Sequence, residues 1–133
     1  MKNLIRTIKQ CNHCIEHLEL GARPVLSATS ESKILIIGQA PGIKVHQSGI
    51  PWDDKSGDNL RKWLGISSAA FYNPSIIAII PMGFCYPGKG RSGDLPPRKE
   101  CAPLWHDQLL NHMNDIRLTL LIGQYAQNYY LKD

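Results

Sequence analysis

Long hydrophobic runs are missing from this sequence. Its most apolar segments, ILIIG and IIAII, are far shorter than the roughly 20 apolar residues that a membrane-spanning helix needs. The first residues, MKNLIRTIKQCNHC, contain neither the apolar core nor the small-residue cleavage site of a signal peptide. Internal repeats and low-complexity segments are missing as well. We therefore expect one folded domain over residues 1–133, located in the cytoplasm and with no membrane partner.

Acidic residues are fewer than basic ones, and cysteines are few. The 11 Asp and Glu residues against 15 Lys and Arg residues give a formal net charge of +4 and a pI of about 8.9. This mild excess permits a polyanionic partner, but it is also ordinary solubilising charge. In a reducing cytosol, four cysteines are more readily metal ligands or buried thiols than disulfides.

Three short apolar runs, at residues 34–37, 76–80 and 118–122, do not alternate with polar residues. Such runs are typical of strands buried on both faces, in a parallel sheet covered by helices. We therefore predict an α/β fold, a three-layer α/β/α sandwich with a short parallel sheet. The residues after the third run are too few for another crossover and strand. We expect that a partner covers this strand, or that the chain has lost a C-terminal segment that did.

Helices are predicted at three places. The first spans about residues 57–64, with Ser56 as its N-cap and Gly65 closing it. The second spans about residues 99–113 and tolerates Pro103 only in its first turn or at a break. The third is GQYAQNYYL. The segment MGFCYPGKGRSGDLPPRKE is predicted to lack regular structure because it is rich in glycine and proline.

The cysteines form a pattern suited to one metal site. Cys11 and Cys14 are spaced C-x2-C, and Cys85 and Cys101 can complete a tetrahedral set. All-thiolate ligation suits both zinc and an iron–sulfur cluster, so spacing does not separate them. The alternative is four buried or reactive thiols.

The segment GFCYPGK fits the phosphate-binding pattern G-x4-G-K, but its context does not. A P-loop needs Ser or Thr next and a helix directly after it, whereas Gly90 follows here. We therefore do not expect nucleoside triphosphate binding.

The first strand runs directly into the turn GQAPG at residues 38–42. In open α/β sheets, ligands bind at the carboxyl ends of parallel strands, and glycines let the backbone approach a ligand closely. Trp52 follows in the loop GIPWDD, either as a platform for a planar ligand or as a core residue under the loop. Asp53 and Asp54 order water or cap the next turn. The basic residues Lys89, Arg91, Arg98 and Lys99 suit phosphate contacts, or form a solvated loop.

Together these features resemble the uracil-DNA glycosylase superfamily, and in particular its iron–sulfur branch. GQAPG resembles that branch's GEAPG, and GIPW follows it at the spacing of the family's G-x-P-F. Gly57 and Leu60 match the next helix of the family, and the four cysteines match its cluster ligands. LTLLIGQYAQNYYL resembles its third strand and L-G-x-x-A helix. The resemblance covers nearly the whole chain.

The resemblance implies hydrolysis of the N-glycosidic bond of uracil or another deaminated base in DNA. We expect the protein to act as a monomer. The resemblance also implies a [4Fe–4S] cluster whose ligands are Cys11, Cys14, Cys85 and Cys101. It implies a flipped base in a pocket formed by Gly38, Gln39, Ala40, Pro41, Gly42 and Trp52. We assign catalysis to Gln39, His46 and Asp53. We assign DNA contacts to Lys44, Lys89, Arg91 and Arg98.

Several positions depart from the family pattern. Gln39 replaces Glu, and glutamine can position a water molecule but cannot take its proton. Ala40 follows, where the main bacterial uracil glycosylases place Asp after their Gln. Pro81 takes the position of the Asn that reads uracil. The H-P-S loop is absent, so we expect a C-terminally truncated domain. His46 lies at a commonly acidic position, and we hypothesise that it contacts substrate phosphate or water.

Two other functions stay open at this point. One is a catalytically impaired nucleic-acid-binding module of the same fold. The other is a structural zinc domain.

Overall fold

A computed structural model describes residues 1–131 of the chain. Within this range the helices are α1 (Lys2–Lys9), α2 (Ile43–Ser48), α3 (Lys55–Leu64), α4 (Ser68–Phe71), α5 (Asp107–Leu110) and α6 (Gln124–Tyr130). The strands are β1 (Ile34–Ile37), β2 (Ile77–Ile79), β3 (Lys89–Gly90), β4 (Gly93–Asp94) and β5 (Leu118–Leu121). A 3₁₀ turn spans Ile15–His17, and a π-helical turn, Ala102–His106, leads into α5. None of the described helices has the length and apolar character needed to cross a membrane.

The three predicted strands form one parallel sheet in the order β2-β1-β5. In the central strand, Ile34 pairs with Ile77 on one side and with Leu118 on the other. Neighbouring residues of this strand point to opposite faces, so Leu35 and Ile36 enter different hydrophobic cores. A sheet that is apolar on both faces needs a helical layer on each.

The two layers come from different parts of the chain. One core contains Ile8 of α1, Leu109 of α5 and Ala126 of α6. The other contains Phe71 of α4, with Leu60 of α3 packed against it. The connection from β1 to β2 therefore covers one face, and α1, α5 and α6 together cover the other. This arrangement confirms the predicted α/β/α sandwich with a short parallel sheet.

The two outer edges of the sheet differ. On the β2 side, Ser27 forms an antiparallel bridge with Ile79, in which each amide donates to the other residue's carbonyl. On the other side, β5 pairs only with β1 among the described residues, and Leu118 is 51% exposed. The run at 118–122 is thus an edge strand. What covers its outer edge stays a prediction.

Helix α3 begins two residues before its predicted start. Its N-cap is Asp54 rather than Ser56, because the Asp54 carboxylate accepts the Gly57 amide at 2.9 Å. The Ser56 hydroxyl instead donates to the same carboxylate. Gly65 ends the helix in the left-handed conformation, at φ 67°, as predicted.

The helix predicted for residues 99–113 is shorter and irregular. Pro103 lies in the first turn of the π-helical segment, where it needs no amide hydrogen. The α-helical part, α5, is only one turn long.

The glycine-rich segment before it is not wholly irregular. Its strands β3 and β4 form a small antiparallel hairpin around Arg91 and Ser92. Gly93, at φ 121°, provides the turn conformation that this hairpin needs. The short helices α1, α2 and α4 were not predicted, because each offers too few residues for a clear apolar period.

Ser32 lies just before β1, and its side chain makes two hydrogen bonds whose contribution to stability can be tested. Its side chain is fully buried, donates to the Pro74 carbonyl at 2.6 Å and accepts from the Thr29 amide at 3.1 Å. We expect Ser32→Ala to lower the free energy of unfolding by about 1–3 kcal/mol, because it leaves the Thr29 amide without its acceptor. The Pro74 carbonyl would keep only the hydrogen bond from the Thr29 hydroxyl. Urea unfolding measures this loss.

The matched control is Ser30→Ala, since Ser30 is exposed. It should change the free energy of unfolding by less than about 0.5 kcal/mol. Equal stability of the two variants would contradict the role of Ser32.

Candidate functional site

The carboxyl ends of the three parallel strands meet at a cavity of about 320 Å³. The turn at residues 38–42 follows β1, Pro81 follows β2, and Gly123 follows β5, and all of them line this cavity. The strands β2 and β5 lie on opposite sides of β1, so the chain segments that leave the carboxyl ends of these strands diverge and leave a crevice between them. Ligands bind at such switch points in open α/β folds. We call this space the first cavity.

The turn after β1 is fixed to the segment that follows β2. The carbonyl oxygens of Gly38 and Gln39 accept hydrogen bonds from the amides of Met82 and Gly83, at 2.8 and 3.0 Å. Inside the turn, the amides of Ala40 and Gly42 donate no hydrogen bond to another residue in the range 1–131. These two amides are therefore available to a carbonyl oxygen or an anion.

Trp52 forms one wall of the first cavity and also packs against the core. Its backbone is in the left-handed region, at φ 58°, which is rare for a bulky residue. A methyl group on Gly38 would lie 2.9 Å from the indole, and one on Gly57 would lie 1.8 Å from the Trp52 carbonyl oxygen. Both sequence-based interpretations of Trp52, platform and core residue, describe part of its position.

A buried arginine holds the Trp52 loop in place. Arg61 donates to the Trp52 carbonyl at 3.2 Å and to the Tyr72 hydroxyl at 3.0 Å, and it pairs with Asp58 at 2.9 Å. The Tyr72 hydroxyl donates in turn to the Pro51 carbonyl at 2.8 Å. Burial raises the pKa of Tyr72, so this hydroxyl keeps its proton. Sequence reasoning missed Arg61 and Tyr72, because an arginine on a helix predicts a solvated face.

The predicted polar residues do not all reach the first cavity. Gln39 lines it, with its side-chain oxygen near Gly123. Asp54 lines it as well, whereas the exposed Asp53 does not. Asp54 is the only carboxylate among the described lining residues, and its Oδ1 accepts both capping hydrogen bonds. Its second oxygen retains acceptor capacity.

His46 lies behind the turn rather than in the lining of the first cavity. Its Nδ1 is buried and has no hydrogen-bond partner among residues 1–131, and its ring lies 5.9 Å from the ring of Tyr86. The Tyr86 hydroxyl donates to Asp94 at 3.4 Å. Another oxygen of Asp94 approaches Gly42, so the hairpin reaches the turn.

A second histidine, His106, supports the cavity from beneath. It is almost fully buried, and its Nε2 donates to the Pro81 carbonyl at 2.9 Å. Its Nδ1 then accepts from the Tyr130 hydroxyl of α6 at 2.5 Å. Burial lowers the pKa of His106, which keeps the ring neutral and this pattern intact. Spacing along the chain gave no signal for this contact.

The four predicted basic residues occupy different surroundings. Lys44 is exposed on α2, Lys89 is exposed on β3, and Arg91 is exposed in the hairpin turn. Arg98 instead pairs with Glu100 at 2.7 Å and lies beside the cysteines. The DNA contacts assigned to these residues stay predictions.

The four cysteines come together although they are far apart in sequence. Cys11, Cys14, Cys85 and Cys101 all line one small cavity of about 20 Å³, and none forms a disulfide. Burial raises the pKa of the Cys85 thiol to about 12 and that of Cys101 to about 11. Among residues 1–131, no three His, Cys, Asp or Glu side chains are arranged to hold a single metal ion. The donor set therefore suits a thiolate-bound group chemically, while its present spacing does not define a mononuclear site.

Gly57, which packs against the Trp52 backbone, should respond to alanine substitution with a change in the free energy of unfolding opposite to that of most helical glycines. Gly→Ala inside a helix normally stabilises by about 0.5–1 kcal/mol. Gly57→Ala should instead lower the free energy of unfolding by about 1–3 kcal/mol, because the new methyl group overlaps the Trp52 carbonyl. Urea unfolding and the fluorescence of the displaced indole measure this effect.

Gly42→Ala is the matched control. Its methyl group would meet only the Asp94 carboxylate, at an ordinary 3.7 Å, and its φ of −86° suits alanine. A Gly57→Ala protein as stable as Gly42→Ala would contradict the close packing of α3 against Trp52.

The comparison with known families now bears on this geometry. A family model described as the uracil DNA glycosylase superfamily matches residues 25–133. The match includes the parallel sheet, the turn at 38–42, Trp52 and Pro81, whereas Cys11 and Cys14 precede it. Because the match covers most of the chain and the fold agrees with it, the chain belongs to the uracil DNA glycosylase superfamily.

Proposed function

We propose that this protein hydrolyses the N-glycosidic bond of uracil or another deaminated base in DNA. The observation that carries this proposal is the first cavity, with an aromatic wall and two available amides at the switch point of the sheet. The N-glycosidic bond of a stacked base cannot be reached inside a duplex, so the nucleotide has to be flipped into a pocket. A cavity of about 320 Å³ lies within the range of small-molecule pockets.

The reaction places specific demands on the pocket. As the bond breaks, positive charge develops on the sugar and negative charge on the departing base, while water attacks the sugar carbon. We assign stacking of the base to Trp52. We assign stabilisation of its developing charge to the amides of Ala40 and Gly42.

Positioning and deprotonation of the water require two different groups. Gln39 can orient a water molecule through its amide, but it cannot accept a proton. Asp54 can accept one, through the carboxylate oxygen that the capping hydrogen bonds leave available. We therefore assign Asp54 as the general base, in place of the exposed Asp53 expected from the sequence.

We further propose that the four cysteines bind a [4Fe–4S] cluster. Support comes from the four free thiols lining one cavity. When bound, the cluster would hold its thiolate ligands in place and so connect the N-terminal segment to the segment after β2. Zinc is the alternative metal for the same donors.

A second function is a nucleic-acid-binding module without catalysis. Pro81 favours it, because proline at the end of β2 has no side-chain amide to read a base. Binding of uracil-containing DNA with no base released, by a protein loaded with its metal, would establish this function instead.

Asp54→Asn tests the assigned general base. Asparagine is as good an N-cap as aspartate, so α3 and the free energy of unfolding should be preserved. It cannot accept a proton, so single-turnover excision of uracil should slow by about 10²- to 10⁴-fold. The assay is release of the base from single-stranded uracil- and hypoxanthine-containing oligonucleotides.

Asp53→Asn is measured in parallel, since it makes the same chemical change one residue away on the exposed side. The assignment requires the larger loss in Asp54→Asn. A larger loss in Asp53→Asn would return the role of general base to Asp53. If the unaltered protein releases no base, the glycosylase proposal is refuted.

Metal analysis tests the cluster proposal. We expect the protein purified without oxygen to be brown and to contain about four iron atoms per chain. Cys85→Ser and Cys101→Ser should each lower the iron content and the thermal midpoint. A colourless protein with about one zinc per chain would contradict the cluster.

A further inference from the structure

A second cavity, of about 620 Å³, lies beside the first one. The two cavities are separated at the exit of β2, where Pro81 lines the first and Met82 lines the second. They are also adjacent along the start of α6, where Gly123 lines the first and Tyr125 the second. Neither the family pattern nor the reaction assigned above uses this second cavity.

Tyrosine and proline rings form part of the lining of the second cavity. Tyr125 and Tyr129 of α6 present half-buried rings, and both pack against the larger hydrophobic core. Tyr129 is further supported by the ring of Tyr130, at 5.0 Å. Three prolines also belong to the lining of this cavity, namely Pro87, Pro96 and Pro97. Such rigid surfaces suit a planar ring, because stacking needs a platform held in one orientation.

The charge of the second cavity has one sign. Lys99, Arg98 and His17 belong to its lining, and no carboxylate does so among the described residues. Glu100 compensates Arg98, but Lys99 is exposed and forms no ion pair within residues 1–131. The cavity therefore combines a planar apolar surface with an available cation. This combination matches a nucleotide, which has a flat base and an anionic phosphate.

We propose that the second cavity binds one unpaired nucleotide of a DNA strand, the neighbour of the nucleotide whose base enters the first cavity. Its base stacks on Tyr125 and Tyr129, and its phosphate contacts Lys99. This inference rests on the proposed function, because the adjacency of the cavities has meaning only if a DNA strand crosses both. Stacking is tolerant of sequence, so the second site fixes the strand without selecting a base.

The test uses a fluorescein-labelled oligothymidylate of about five nucleotides, a length within the range of single-strand sites. It contains no uracil, so binding is measured by anisotropy without any excision. Tyr125→Ala should weaken binding by about 5- to 100-fold, and Tyr125→Phe should bind like the unaltered protein. Lys99→Gln should reduce the slope of log affinity against log salt by about 0.7.

A second pair of variants avoids any change to the core, since Tyr125 contributes to it. Asn128 is exposed and lines the second cavity, so Asn128→Asp adds a carboxylate to a lining that has none among the described residues. It should weaken binding at low salt by several-fold, and high salt should reduce the difference. Asn59→Asp makes the same change on α3, outside both cavities, and should bind like the unaltered protein.

The outcomes separate this inference from the proposed function. If Lys99→Gln and Asn128→Asp bind the oligothymidylate like the unaltered protein, the second site is refuted, whether or not uracil is excised. If these variants bind weakly but the unaltered protein excises no base, the nucleotide site stands and the glycosylase proposal fails.

Discussion

The structure depends on how Trp52 is confined between two glycines. Gly38 directly follows β1 and Gly57 belongs to the first turn of α3, and neither position has room for a methyl group. Trp52 therefore contacts the turn after β1 through its indole and α3 through its carbonyl. Arg61 of α3 fixes the same loop by donating to that carbonyl. An unfavourable backbone conformation at Trp52 is tolerated because so many neighbouring contacts determine it.

The sheet and its layers were predictable because their signal is local. Runs such as Ile34–Ile37 are apolar at every position and rich in β-branched residues, which is typical of a short strand covered on both faces. The helix boundaries were less predictable, since Asp54 and Ser56 are both good caps and only the folded geometry selects between them. The first-turn position of Pro103 was foreseen as one of two conditions, but the π-helical form of that segment depends on tertiary packing.

In the candidate site, too, features with a local sequence signal were predicted and features that depend on the folded geometry were not. The turn at 38–42 and Trp52 were found from motif and spacing, and so was the gathering of the four cysteines. Side chains that act across the fold gave no such signal. The sequence predicts an exposed Arg61, whereas the fold buries it. The sequence also does not distinguish Asp53 from Asp54, although only Asp54 lines the first cavity. Arg98 likewise reads as one of several loop cations, although its partner is Glu100.

His106 gives the first cavity a connection to the last helix. Its ring joins the Pro81 carbonyl to the Tyr130 hydroxyl, so the end of β2 and α6 share one hydrogen-bonded unit. A ligand that requires Pro81 in its present position therefore also favours the docked position of α6. Thermodynamic linkage makes this coupling reciprocal. Local opening of α6 and loss of ligand from the first cavity are therefore linked events.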